Sequence, residues 1–288
     1  MKKILITGAN SYIGTSFEKW LAKWPDEYLI DTIDMIDGSW REKTFASYDV
    51  VFHVAGIAHV SADPSKKDLY YAINRDLAIE TAEKAKSDGV RQFIFMSSMI
   101  IYGADEPVGK EKIITRDTLP SPADFYGDSK LQADVAIQKM ADDGFVVSIM
   151  RPPVIYGPGC KGNFPKLLKL ANITPIFPDI KNKRSMIYID NFTECLKRVI
   201  DTKEGGVFFP QNTAYVPTKD VIVEYRKCLK KKILIVPFPS FACMLLAKSK
   251  TFNKAFGSKV YDLEISDCSN YNIVDFKTSL SRIMENDG

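Results

Sequence analysis

Lys2-Lys3-Ile4-Leu5-Ile6-Thr7-Gly8-Ala9-Asn10-Ser11-Tyr12-Ile13-Gly14 is a short apolar run, a glycine turn and the opening of an apolar-periodic helix that reads on to about Trp24. Strand, glycine turn and helix in that order form the context in which a glycine fingerprint signifies a dinucleotide site. Gly8 permits the tight turn, the amides of Ser11, Tyr12 and Ile13 point from the helix start toward a pyrophosphate, and Gly14 lets helix and strand pack closely. Ser11 stands where the pattern has its middle glycine, and its hydroxyl can donate to a phosphate oxygen instead. The competing reading is a structural glycine turn in an unrelated α/β domain.

The rest of the chain repeats the alternation. Strands are predicted near 2–7, 28–35, 49–54, 91–98, 145–151 and 206–209, and helices near 12–24, 67–88, 123–143, 163–171, 190–201 and 217–230. This order predicts an α/β fold of the Rossmann type: a doubly wound parallel sheet with right-handed crossovers, followed by a smaller mixed C-terminal domain. Ligands of such sheets bind beyond the carboxyl ends of the strands. Gly8, Ala55-Gly56, Ser97-Ser98 and Pro152-Pro153 all fall at such ends. The expected division is a dinucleotide domain over 1–155, to which 187–209 returns, and a substrate domain built mainly from 156–288.

Composition narrows the classes. The 288 residues are 45% hydrophobic and 26% charged, enough for a sizeable core, and the net charge of +3 with interspersed signs argues against nucleic acid as a partner. The densest basic run, Arg226, Lys227, Lys230, Lys231 and Lys232, reads as the solvated end of a helix, with membrane contact as the alternative. Ile233 to Ala247 is apolar but broken by Pro237 and Pro239, too short to span a bilayer, and reads as a strand and a core-facing helix. No membrane partner is expected, nor a cleavable signal at the N-terminus. Five scattered cysteines (Cys160, Cys195, Cys228, Cys243, Cys268) without CxxC spacing suggest reduced thiols and a cytoplasmic location. His53 and His59 lack a companion ligand cluster, so no metal site is expected.

Chemistry is carried by Tyr126-Gly127-Asp128-Ser129-Lys130. Residues four apart on a helix are neighbours, so Tyr126 and Lys130 project together from the helix read over Pro122 to Gly144. An ammonium about 4 Å from a phenol, at an effective dielectric of about 20, favours phenolate by roughly 4 kcal/mol before desolvation is subtracted. Such pairs also occur on ordinary solvated helices, and this one takes its meaning from the glycine turn and the serine strand around it.

These segments together resemble the extended short-chain dehydrogenase/reductase family, in its nucleotide-sugar epimerase and ketoreductase branch, over essentially the whole chain. Phe52 to Gly56 is similar to the family's strand segment lining the cofactor, and Phe95 to Gly103 to its serine strand, in which Ser98, four residues before Tyr102, is the catalytic position. Arg151 to Gly159 with Lys161 to Phe164, and Arg184 to Asn191, resemble its substrate segments. The resemblance implies Ser98, Tyr126 and Lys130 as the catalytic triad. It implies cofactor contacts from Gly8, Ser11, Tyr12, Ile13, Gly14, Asp34, Ala55, Gly56, Asn74, Ser97 and Pro153, and a nucleotide-diphosphate cradle of Asn163, Phe164, Ile176, Phe177 and Arg184. Arg184 also makes sense alone, because a planar guanidinium fork matches phosphate. The implied cofactor is NAD, with NADP as the alternative. The implied substrate is a nucleotide sugar, UDP-linked, and the implied assembly a homodimer pairing the helices near 67–88 and 123–143.

Departures from the family pattern qualify this. The segment between the second strand and Asp49 is short by about a strand and a helix, so Asp34, twenty residues after Gly14, is the ribose acid that disfavours a 2′-phosphate, or, with Asp37, resembles the family's later adenine-contacting acidic pair, or is a turn aspartate. Val154 stands where many relatives carry asparagine, and no counterpart of a C-terminal ribose-contacting arginine is evident. Met99 and Ile100 occupy the places where 4,6-dehydratases carry an acid pair, and apolar side chains cannot relay protons. Redox at sugar C4 is left: a UDP-hexose 4-epimerase, with a UDP-4-keto-sugar 4-reductase as the alternative. The resemblance implies a place for the enzyme in polysaccharide biosynthesis. A reading of another class is a catalytically silent NAD(P)-binding sensor or scaffold.

Overall fold

Ile4, Leu5, Ile6 and Thr7 are consecutive and all buried, which requires a strand covered on both faces, as in the middle of a parallel sheet. In the computed structural model, which describes residues 1–58, 63–266 and 270–287, this run is strand β1 (Lys2–Thr7). It is followed in chain order by α1 (Tyr12–Leu21), β2 (Tyr28–Ile33), β3 (Val50–His53), α2 (Lys67–Tyr71), α3 (Leu77–Ser87), β4 (Gln92–Met96), β5 (Lys112–Ile114) and α4 (Phe125–Gln138). Then come β6 (Val146–Met150), β7 (Val154–Tyr156), α5 (Asn163–Ile173), β8 (Ile176–Asp179), β9 (Met186–Tyr188), α6 (Ile189–Thr202) and β10 (Gly206–Phe208). The chain closes with α7 (Thr218–Cys228), β11 (Leu234–Pro237), α8 (Ser240–Leu246), α9 (Lys250–Phe256), β12 (Lys259–Tyr261) and α10 (Phe276–Asp287).

The chain divides into two compact units. The first comprises Met1–Gly103, Leu119–Pro152 and Phe192–Pro210, and the second Ala104–Thr118, Pro153–Asn191 and Gln211–Gly288. The first unit is a six-stranded parallel sheet in the order β10-β6-β4-β3-β1-β2. The strand order reverses between β1 and β3, and the crevice beyond their carboxyl ends is where such sheets take ligands. Gly8 sits there with φ +89°, and a Cβ on it would fall 2.8 Å from the Ala55 Cα, so only glycine permits both the turn and the approach. Between β2 and β3 the chain makes one 3-10 turn, Ser39–Glu42, as the short sequence there predicts.

The second unit contains three two-stranded parallel ladders, β11-β8, β12-β5 and β7-β9, around buried aromatic side chains. Tyr156 packs on Phe164 with centroids 4.8 Å apart, and its hydroxyl meets Ser279 Oγ at 2.9 Å.

Several predicted elements differ from those observed. The helix expected over 67–88 is interrupted by a π-helical turn, Ala72–Asp76, and the helix expected to run to 143 ends at Gln138. The strand expected at the start of Ile233 to Ala247 is β11, whereas the other strands of the second unit went unseen because three or four residues are too few to display an alternation. The helix expected to face the core after Pro239 is corrected: α8 instead exposes Phe241, Met244 and Leu245. His59 and Cys268 lie outside the described residues.

Gly8→Ala is expected to lower stability by about 1–3 kcal/mol, because the residue is held at positive φ against backbone. Urea unfolding followed by circular dichroism measures it, and an unchanged midpoint would mean that the turn relaxes freely.

Candidate active site

Helix α4 starts where Asp124 caps it, accepting a hydrogen bond from Gly127 N at 2.9 Å. Gly127 keeps the start of the helix close to the preceding segment, since a Cβ there would lie 3.0 Å from both the Ile100 carbonyl oxygen and Pro122 Cβ. The close approach sets Tyr126, in the first turn, beside the 3-10 turn Met99–Tyr102, whose N-cap is Ser98. The Ser98 hydroxyl accepts from Ile100 N at 3.2 Å and hydrogen-bonds the Tyr126 phenol. Tyr70 packs edge-on against Tyr126 with centroids 5.6 Å apart.

One turn further along α4, Lys130 is buried. Its ammonium donates to the Met96 carbonyl oxygen at 2.8 Å and lies 4.9 Å from the centroid of the Phe95 ring. Gly56 lies beside it: a Cβ there would meet Asn74 Oδ1 at 2.9 Å and Lys130 Nζ at 3.2 Å. Asn74 is fully buried in the π-helical turn, where it accepts from Ile57 N at 2.9 Å and donates to Ile57 O at 3.0 Å. A π-bulge is a frequent device at functional sites, and this one turns Asn74 onto the backbone that follows β3.

The expected electrostatic priming of Tyr126 is corrected by the structure. Burial pushes its phenol up to about 12, Tyr70 and Asp124 add to the rise, and the Ser98 hydrogen bond only partly opposes it. The same desolvation lowers Lys130 to about 8, with Asp134 working in the opposite direction. Burial thus dominates, and Tyr126 is held in the protonated form.

The glycine turn has the shape a dinucleotide needs. Ser11 caps α1 by accepting from Gly14 N at 3.1 Å, which leaves its own proton to donate, and the amide of Ile13 belongs to the open first turn of the helix beside Tyr12. A Cβ on Gly14 would meet Ser11 Oγ at 2.6 Å. Ala55 is buried against the Gly8 turn. Asp34 is exposed just beyond β2, where its Oδ1 accepts from Ile36 N at 2.9 Å.

Ser97 is placed differently from Ser98. Its hydroxyl donates inward to Asp134 Oδ2 at 2.6 Å. Asp134, fully buried, also takes a bidentate pair from Arg151, Nε to Oδ2 at 2.9 Å and Nη2 to Oδ1 at 2.8 Å, and Arg151 Nη1 donates to the Tyr102 hydroxyl at 2.7 Å. This network was missed in the sequence, although Asp134 lies four residues beyond Lys130 and eight beyond Tyr126, a spacing that places all three on one helix face.

In the second unit, Pro153 is buried at its start, and Asn163 and Ile176 are exposed at the openings of α5 and β8. Phe164 and Phe177 are core residues, the latter 5.9 Å from the Phe256 ring between centroids. Arg184 donates to Asp105 Oδ2 at 3.0 Å, Lys254 O at 2.6 Å and Gly257 O at 3.2 Å. Its fork is thus already engaged by protein oxygens. Among the described residues no group of histidine, cysteine and acidic side chains could hold a metal ion, and no helix is long and apolar enough to cross a membrane.

A parallel sheet with a glycine turn at its switch point, together with Ser98, Tyr126 and Lys130 clustered in the same unit, has the fold of the short-chain dehydrogenase/reductases. The chain belongs to the NAD dependent epimerase/dehydratase family, whose sequence model matches residues 4–209. It is 30% identical over 279 residues to a UDP-glucose 4-epimerase of Vibrio cholerae, covering 89% of this chain and 83% of that protein. Among solved structures it resembles UDP-glucuronic acid 4-epimerase from Bacillus cereus in complex with NAD, with TM-score 0.75, 21% identity and coverage of 99% and 96% of the two chains. It also resembles a dTDP-4-dehydrorhamnose reductase from Clostridium acetobutylicum, with TM-score 0.74, 19% identity and 98% of each chain covered. These two likenesses speak to the fold, which epimerases and reductases share.

Asp134→Ala is expected to destabilise the protein by about 3–5 kcal/mol, because it leaves the Arg151 guanidinium buried without its partner. The double variant Asp134→Leu with Arg151→Met should recover much of the loss. Urea unfolding of the three proteins distinguishes a coupled pair from two independent residues.

Proposed function

We propose that the chain is a nucleotide-sugar oxidoreductase working at C4 of a UDP-hexose, and a 4-epimerase in the first instance. The observation that supports this is the burial of Lys130 one turn beyond Tyr126, with its ammonium on the Met96 carbonyl at the end of the serine strand and close to Gly56. The relationship to the Vibrio cholerae UDP-glucose 4-epimerase supports the choice of reaction.

A bound nicotinamide dinucleotide supplies the acceptor and donor of hydride at C4. The chain's part is to hold it and to manage the proton. Gly8, Ser11, Ile13 and Gly14 would hold the pyrophosphate, Asp34 a ribose, and Ala55 and Gly56 the path toward the nicotinamide. Ser98 hydrogen-bonds the C4 oxygen, and Tyr126 takes that oxygen's proton when the alcohol is oxidised and returns it when the ketone is reduced. Lys130 holds positive charge next to this exchange. We further assign the nucleotide diphosphate to the second unit, where Asn163 and Ile176 offer exposed contacts. For Arg184 to contribute, it must exchange a protein oxygen for phosphate.

A second reading, the 4-ketoreductase, is favoured by the protonation of Tyr126. A phenol pushed up to about 12 starts as an acid, the form that reduction of a ketone consumes. We also propose that the pairing face of a homodimer lies on α3 and α4, where Val135 is an exposed apolar residue.

The purified protein is to be incubated with UDP-glucose and UDP-N-acetylglucosamine in the presence of NAD, and with a UDP-4-keto sugar in the presence of NADH or NADPH. Interconversion of epimers without net cofactor turnover identifies the epimerase, and stoichiometric oxidation of reduced nicotinamide identifies the reductase. Tyr126→Phe is expected to lower kcat by about 100-fold or more in either case. Retention of dinucleotide with no turnover of any sugar nucleotide would support the sensor reading instead.

A pH profile offers an independent check. Lys130 is lowered to about 8, so its charge is lost as pH rises through that value. The rate of the oxidative direction is expected to fall above about pH 8 in a kcat profile. A flat profile to pH 10 would dissociate Lys130 from the proton transfer.

A further inference from the structure

The stretch from Arg226 to Tyr261 contains nine basic residues and not one acid. The whole chain has 39 bases and 36 acids, so the remainder carries 30 bases against 36 acids and is net negative. A near-neutral total thus conceals one strongly positive segment. Lys230, Lys231, Lys232, Lys248 and Lys254 are exposed. They bracket α8, whose apolar side chains face outward: Phe241 is 66% exposed, Met244 70% and Leu245 64%. These three stand at i, i+3 and i+4 and therefore form one stripe on the helix. Upstream, Leu234 of β11 and Ile176 of β8 are paired in register and are 59% and 52% exposed, a second apolar pair on the surface of the same unit.

The stripe is displayed by a supported element. Asn253 Nδ2 donates to Ala247 O at 2.6 Å at the end of α8. Phe238, Phe252 and Phe256 form a chain of ring contacts at 6.5 and 5.0 Å, joined by Phe256 to Phe177 at 5.9 Å. Phe238, Phe252 and Phe256 thus pack among themselves, while Phe241, Met244 and Leu245 project from the segment.

From this arrangement we infer that α8 and its lysine flanks form a docking face for an anionic lipid bilayer surface, into which Phe241, Met244 and Leu245 insert at the headgroup level. Large apolar side chains flanked by lysines are the composition of a helix that lies in a membrane interface. Acidic headgroups supply the complement for a segment that has no acid of its own. A second copy of the chain is a poorer occupant. In a two-fold interface the patch meets itself, and lysine would face lysine. The inference is independent of the chemistry assigned to Ser98, Tyr126 and Lys130, and it differs from a membrane span, for which α8 is far too short.

The test uses the full chain and large unilamellar vesicles of phosphatidylcholine containing roughly a third phosphatidylglycerol, with pure phosphatidylcholine vesicles as the comparison. Co-sedimentation with the anionic vesicles at low salt, weakened by added salt, is expected. Replacement of Phe241, Met244 and Leu245 together by serine should reduce the bound fraction by about tenfold, as should replacement of Lys230, Lys231 and Lys232 by glutamate. Both sets are exposed, and unchanged thermal unfolding confirms that the variants are folded. Failure to bind the anionic vesicles, equal binding to the neutral ones, or binding that survives both variants would overturn the inference. So would a lipid-free change of oligomeric state in the serine variant by analytical ultracentrifugation, which would assign the stripe to a second copy. Assays of the serine variant with soluble sugar nucleotide separate this inference from the proposed reaction, since a loss of vesicle binding with turnover intact is the expected result.

Discussion

A lysine ammonium held out of water is the constraint around which the first unit is organised. Such a group is tolerated only where its protons find acceptors and its charge finds compensation. Lys130 has the Met96 carbonyl at the end of β4, the face of Phe95, and Asp134 one turn along its own helix. Asp134 is in turn held by Ser97 and by both arms of Arg151, which continues to Tyr102. The ends of β4 and β6, the 3-10 turn after Ser98 and the first two turns of α4 are therefore tied together by hydrogen bonds that cannot be traded for water. A buried network of this kind fixes geometry more than it adds stability. What it fixes is the position of Tyr126 relative to Ser98.

The protonation of that tyrosine follows from the same burial. Desolvation acts on phenol and ammonium in opposite senses, raising the one and lowering the other, so two groups that are nearly matched in water are driven apart in proton affinity. The phenol is therefore held in its protonated form by its surroundings.

The second unit is built differently. Its ladders are short, its interior is aromatic, and its surface charge is uneven, with the acid-free segment between Arg226 and Tyr261 beside outward-facing apolar side chains. Uneven charge is invisible in a net value of +3, which conceals this basic segment.

The sequence by itself determined the sheet and the family. The buried run before Gly8, the turn that only glycine can make against Ala55, and the placement of Ser97-Ser98 and Pro152-Pro153 at strand ends are all local in sequence or periodic along it, and periodicity survives without coordinates. The spacing of Tyr126 and Lys130 was legible for the same reason. Tertiary structure alone decided which groups share an environment. Asp134 and Arg151 are 17 residues apart and Ser97 and Asp134 are 37 apart, so no local pattern announces their pairing. The π-helical turn at Asn74, the outward face of α8 and the protonated state of Tyr126 were hidden likewise. Each depends on what surrounds a side chain and how much water is excluded from it, quantities that a linear spacing does not contain.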